Sequence, residues 1–148
     1  MKQAFLVLII SLLLYSCNYS NKEVLPNSND FAEIYSSMDV SKQGWNEGNM
    51  QKYMDVYWKS DSLMFMGKKG ITYGWQHTLN VFVTSYPNAE KRGKLDFEYI
   101  HIEALDIHTI HLLGKWKLTR TKDTLMGYYN LIWKNKNGKW KIIFDHSS

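Results

Sequence analysis

Cysteine is almost missing from this chain. Cys17 is the only one in 148 residues, so no internal disulfide can staple the fold and stability has to come from packing. Sequence signatures of chemistry are equally scarce. There is no glycine-rich phosphate loop, nucleophile elbow or dinucleotide fingerprint, which argues against nucleotide-dependent enzymes. Neither HxH nor HExxH spacing occurs. His101, His108 and His111, with Glu103 the one same-face neighbour of His101, fall short of the third protein ligand that zinc usually needs, so neither metal nor cofactor is expected. An excess of one charge is lacking too: 18 Lys and Arg against 14 Asp and Glu give +4, too little to point to nucleic acid. The basic clusters Lys68-Lys69, Lys91-Arg92 and Lys134 to Lys141 lie beside Gly70, Gly93 and Gly138 and read as solvated loops. No internal repeat or low-complexity tract appears, and the length fits one domain rather than two.

What the chain does have is aromatic surface and an unusual start. Rings make up 15% of the residues, including six Trp and ten Tyr, more than a plain core requires. Lys2 supplies a positive beginning, Ala4 to Leu14 an apolar core of signal-peptide length, and Leu12-Leu13-Leu14-Tyr15-Ser16-Cys17 a small residue before the cysteine. This pattern resembles a bacterial lipoprotein signal. The resemblance implies cleavage after residue 16, a diacylglyceryl (palmitate-type) modification on Cys17, and a chain anchored to membrane lipid in the bacterial cell envelope. Lipidation would also remove the only thiol from any chemistry. Residues 17–29 are polar and aperiodic, a tether spanning on the order of 20 Å as a flexible coil, and 30–148 form the domain.

Within the domain the period is helical first. Asp30 and Glu33 stand at capping-box spacing, and Phe31, Ile34, Tyr35, Met38 and Trp45 fall near one stripe ending at Gly48. Asn49 caps a second helix in which Met50, Tyr53, Met54 and Tyr57 follow i, i+3, i+4, i+7. Ser62 to Met66 and Ile71 to Tyr73 read as a short hairpin. Trp75, Leu79, Phe82 and Tyr86 make a third helix stopped by Pro87, and Asn88 to Lys94 a loop. Four long runs follow, Leu95 to Leu105, Ile107 to Arg120, Met126 to Asn135 and Trp140 to His146, rich in β-branched and aromatic residues. Asn137-Gly138 joins the last two as a hairpin. The expectation is an α+β fold: a cone-like curved antiparallel sheet with three N-terminal helices packed on its concave face. Tyr129, Leu131 and Trp133 alternate with Tyr128 and Ile132, and Ile142 and Phe144 with Ile143. A sheet covered on one side should alternate apolar and polar, so the second face is expected to be a homodimer interface.

This order of elements resembles the nuclear transport factor two-like superfamily. Trp45-Asn46-Glu47-Gly48-Asn49, Phe65-Met66-Gly67, Tyr73-Gly74-Trp75, Leu113-Gly114-Lys115-Trp116, Asn137-Gly138-Lys139-Trp140-Lys141-Ile142 and Asp145-His146-Ser147-Ser148 are similar to a SnoaL-like subfamily of unassigned function. The resemblance implies a pocket between the concave sheet face and the helices. Candidates to line it are Trp45, Tyr57, Trp75 and Tyr86 from the helical half, with Trp116 and Arg120 from the second long strand, Arg120 as an anion or carbonyl anchor. Asp145 and His146 are the candidate acid or base, although neighbours on a strand point to opposite faces. The expected function is binding of a small apolar or amphipathic ligand. The alternatives are a cofactor-independent lyase, isomerase or hydrolase of the SnoaL type working through Asp145 or His146, and a structural dimerisation module with a filled cone.

Overall fold

The computed structural model describes residues 24–148. Cys17, the expected signal segment and most of the expected tether lie outside these residues. Helix α1 spans Ser28–Glu47. Its cap lies one turn earlier than the Asp30/Glu33 spacing suggests: the Asn27 side chain accepts from Asn29 N at 2.8 Å, and Asp30 answers by accepting from Asn27 N at 2.8 Å, a reciprocal box that satisfies two end donors. Gly48 closes the helix at φ 81, as the spacing predicts. Ile34, Met38 and Trp45 are buried from one face of it.

Helix α2 is only Met50–Met54. The periodic pattern runs on to Tyr57, but from Val56 onward the backbone is taken by the sheet. Ile142 N donates to Val56 O at 3.0 Å and Trp58 N to Ile142 O at 2.9 Å, which leaves Tyr57 in a parallel bridge with Ile142. Strands β1 (Met64–Gly67) and β2 (Gly70–Tyr73) form the short hairpin, α3 covers Trp75–Ser85, and a single-turn α4 (Ala89–Arg92) occupies the expected loop. Among the described residues four helices, the last a single turn, precede the long strands β3 (Lys94–Asp106), β4 (Thr109–Thr119), β5 (Thr124–Lys136) and β6 (Lys139–Ser147).

The sheet order is β2-β1-β6-β5-β4-β3. It is mixed, which corrects the expectation of a purely antiparallel sheet: β1 runs parallel to β6, with Phe65 opposite Asp145. The hairpin thereby extends the sheet beside the chain's own last strand. Asn137 and Gly138 turn β5 into β6 with φ of 55 and 79, both left-handed as a two-residue hairpin demands. One extra residue, Ile143, interrupts the β5–β6 register between Ile132/Phe144 and Trp133/Ile142, and such a bulge reverses which side chains face inward. The core unites Ile34, Met38, Met54 and Leu79 of the helices with Leu112, Leu131, Trp133 and Ile142 of the sheet, so the helices gather on one face of an α+β domain. Among the described residues no helix is long and apolar enough to cross a membrane.

Candidate functional site

Between that sheet face and the helices lies a cavity of about 570 Å³. Its lining is mostly apolar and ringed: Trp45 of α1, Phe82 and Tyr86 of and just after α3, Phe97 of β3, Trp116 of β4 and Tyr129 of β5 all contribute. The rings brace one another. Trp45 packs edge-on to Tyr53, Phe82 and Tyr86 with centroids 5.0, 5.9 and 4.7 Å apart, contacts that add stability beyond the area they bury. The cavity opens to solvent beside Lys68, Met126 and Ser148, all exposed.

One acid lines the buried part. Asp145 is only 3% exposed, and the alternation of β6 alone does not place it there: Ile142 faces inward, and three residues on Asp145 should face out. The bulge at Ile143 corrects the parity and turns Asp145 to the cavity. The carboxylate accepts from Tyr57 Oη on Oδ2 at 2.7 Å and from Ser147 Oγ on Oδ1 at 2.6 Å. Tyr57 reaches it because the chain leaves α2 early and bridges to β6. Burial pushes the carboxyl up to about 6, against the opposing pull of the Ser147 and Tyr57 hydrogen bonds and the charge of His146. Burial likewise raises the Tyr57 and Tyr53 phenols, and the charge on Asp145 adds to both.

The sequence-derived site is therefore assembled in part. Trp45, Tyr57, Tyr86, Trp116 and Asp145 line one cavity. His146, the next residue on the strand, does not: it lies on the outer face, in register with Met66 and Asn130. Trp75 is buried away from the cavity, its Nε1 donating to Met54 O at 2.8 Å and Lys59 lying over its ring. Arg120 shares no face with Trp116 because β4 ends at Thr119. In the following turn its Nε and Nη2 fork onto Asp123 Oδ1 and Oδ2, each at 2.6 Å, a bidentate pair that leaves no anchor for a ligand in the cavity. On the outer face both His101 and His111 approach Glu103 Oε1, at 3.5 and 3.3 Å. Among the described residues no group of three or more His, Cys, Asp or Glu is placed to hold a metal ion.

Several lining residues escaped the sequence reading. Tyr53 and Phe82 were visible on helical stripes and Tyr129 in an alternating run, Phe97 lay unremarked inside the first long run, and Ser147 fell just beyond the last one; only a register could assign them to one wall. Tyr129 depends on a missing side chain opposite, since a Cβ on Gly114 would stand 2.1 Å from its hydroxyl oxygen. Three wall residues, Trp45, Trp116 and Tyr129, carry buried polar atoms with no protein partner. Tyr99, Trp133 and Arg92 also do, outside the lining. Each such group costs about 1–3 kcal/mol while unpaired.

No family model matches the chain, and neither does any curated protein. Solved structures do. A domain of unknown function with a cystatin-like fold from Nostoc punctiforme PCC 73102 superposes with a TM-score of 0.71 at 13% identity, over 83% of this chain and 78% of that one. A nuclear transport factor 2 (NTF2-like) superfamily protein from Salmonella enterica serovar Typhimurium LT2 gives 0.60 at 14%, over 79% and 88%. At these identities the likeness concerns the fold. An NTF2-like protein of unknown function from Shewanella oneidensis MR-1 goes further, with a TM-score of 0.76 and 31% identity over 80% of this chain and 98% of its own. Sequence and architecture thus agree over nearly the whole of that relative, and the chain belongs to the NTF2-like family.

Proposed function

We propose that this protein is a lipid-anchored component of the bacterial envelope whose aromatic cavity binds a small apolar or amphipathic molecule, and that it works as a homodimer. The observation that carries the binding reading is the placing of Asp145: a buried carboxyl, held by two hydroxyls, on the wall of a mostly apolar cavity that opens to solvent. Small-molecule sites are built this way, with broad apolar walls and a few fixed polar groups. Cys17 with the apolar run before it supports the anchor, and the SnoaL-like motifs support placement in that subfamily. The partly exposed outer face of β1, β5 and β6 supports the dimer.

The same carboxyl favours a second reading, a cofactor-independent lyase or isomerase. A general base works best when its pKa lies near the operating pH, and Asp145 sits at about 6 beside a phenol donor. In that case Asp145→Asn retains the ligand and loses turnover.

Native mass spectrometry of the full-length gene product, purified from its own envelope, tests the main reading. The expected spectrum shows a chain that has lost residues 1–16 and gained lipid mass on Cys17, a dimer, and a retained small molecule released on activation. A chain with neither lipid nor ligand mass refutes the proposal.

A further inference from the structure

We propose that the cavity takes an organic anion: a mostly apolar body with one charged end, a carboxylate or sulfonate, held at the mouth by Lys68 and Lys69, and an uncharged end directed to Asp145. This rests on the cavity being a binding site and adds the charge and orientation of what it binds.

Only three charged side chains line the cavity among the described residues: Lys68, Lys69 and Asp145. They divide it into two poles. Asp145 is buried, whereas the lysines are exposed at the tip of the β1–β2 hairpin, between Gly67 and Gly70. Among the described residues neither lysine has a carboxylate within ion-pairing distance; Lys91, Lys94, Lys117 and Lys134 share that property, and what sets Lys68 and Lys69 apart is their place on the cavity lining. Two like charges on neighbouring residues repel, and an anion bound at the mouth offsets that repulsion.

The anion cannot take the opposite orientation. Above the titration of Asp145 the buried wall already carries a negative charge, and a second one beside it is unfavourable where little solvent screens the pair. Between the poles the walls are Phe65, Phe82 and Tyr86, which suit apolar atoms. An ionised Asp145 has lone pairs beyond those used by Tyr57 and Ser147 and accepts only from donors, so a hydroxyl is the natural group at the uncharged end. Lysine presents a point charge rather than a planar fork, and the mouth accordingly accepts either carboxylate or sulfonate.

The test compares two fluorescent probes with one ring system, neutral N-phenyl-1-naphthylamine and anionic 8-anilinonaphthalene-1-sulfonate, titrated into the full chain at low ionic strength. The wild type is expected to prefer the sulfonate by about tenfold. In Lys68→Gln/Lys69→Gln, which alters only exposed side chains, that preference should fall to near unity with the neutral probe unaffected. Equal affinities in the wild type, or a preference that survives the double substitution, overturn the inference while leaving the cavity reading intact. In Leu125→Trp, which places a large ring in the cavity, both probes should weaken. Sulfonate binding that persists there is surface binding and also overturns it. Failure of both probes to bind the wild type refutes the cavity reading together with the inference.

Discussion

Ionising Asp145 costs the fold stability, and that makes its contribution measurable. Its carboxyl titrates at about 6 in the fold, against 3.8 for an unperturbed carboxyl. The folded state therefore binds a proton more tightly than the unfolded chain. The stability this confers is complete below about pH 4 and is lost as the pH rises through 6. Above that the ionised carboxyl carries a penalty on the order of 3 kcal/mol. Asp145→Asn keeps the shape and removes the charge, and both hydroxyl partners can rotate to suit an amide. The variant is expected to melt above the wild type at pH 7.5, with the gap closing toward pH 4. A gap that does not vary with pH means that Asp145 is charged in the fold without cost. Legibility at this scale was uneven. Asp145 was visible as one of two terminal candidates, and alternation separated it from His146. Tyr57 stood out as an aromatic but not as the donor to this acid, because the partners are 88 residues apart and meet only through the bridge to Ile142.

At the level of elements, the sequence announced helices and strands well and their ends poorly. Caps and turns that rest on local chemistry, Gly48, Asn49 and Asn137-Gly138, lie where the residues indicate. Features set by distant backbone do not show in a window of residues. Helix α2 stops at Met54 because β6 competes for the next peptide groups, and the bulge at Ile143 has no signature in an unbroken apolar run. Yet that bulge decides which face Asp145 occupies. Position 114 on β4 can be tested directly. In the register Tyr99–Gly114–Tyr129 a methyl group would stand 2.1 Å from the Tyr129 hydroxyl oxygen and 2.5 Å from the backbone oxygen of Glu98. One obstacle is backbone and cannot swing aside, so Gly114→Ala must spread β3 from β4 as well as displace the ring. Overpacking of this kind typically costs about 1–3 kcal/mol. A lowered urea midpoint at unchanged slope is the expected result, and wild-type stability contradicts the register.

At the scale of the whole molecule the unexplained surface is the outer face of the sheet. Met64, Leu113, Ile132 and Phe144 lie there partly exposed, with Tyr128 52% exposed beside them. The inner face is already occupied by the helices and the cavity, so these groups add nothing to the monomer's core. A polar margin surrounds them: Lys115 pairs with Glu98 at 2.9 Å, and His111 with Glu103. An apolar centre with a charged rim is the anatomy of an association surface, and a two-fold axis through the middle of a face makes it complementary to itself. Ile132 occupies the centre of that face, on β5 between Phe144 and His111. Ile132→Lys places an ammonium group there, and two-fold symmetry sets it close to its own copy, where burial of unpaired like charges is strongly unfavourable. In light-scattering chromatography the wild type is expected to elute as a dimer and the variant, at the same concentration, as a monomer; a monomeric wild type refutes the proposed dimer. The variant should keep the cavity and its probe binding, since the altered side chain points away from Asp145. Loss of both together means that the substitution has unfolded the sheet, whereas a dimer that persists moves the interface to another surface.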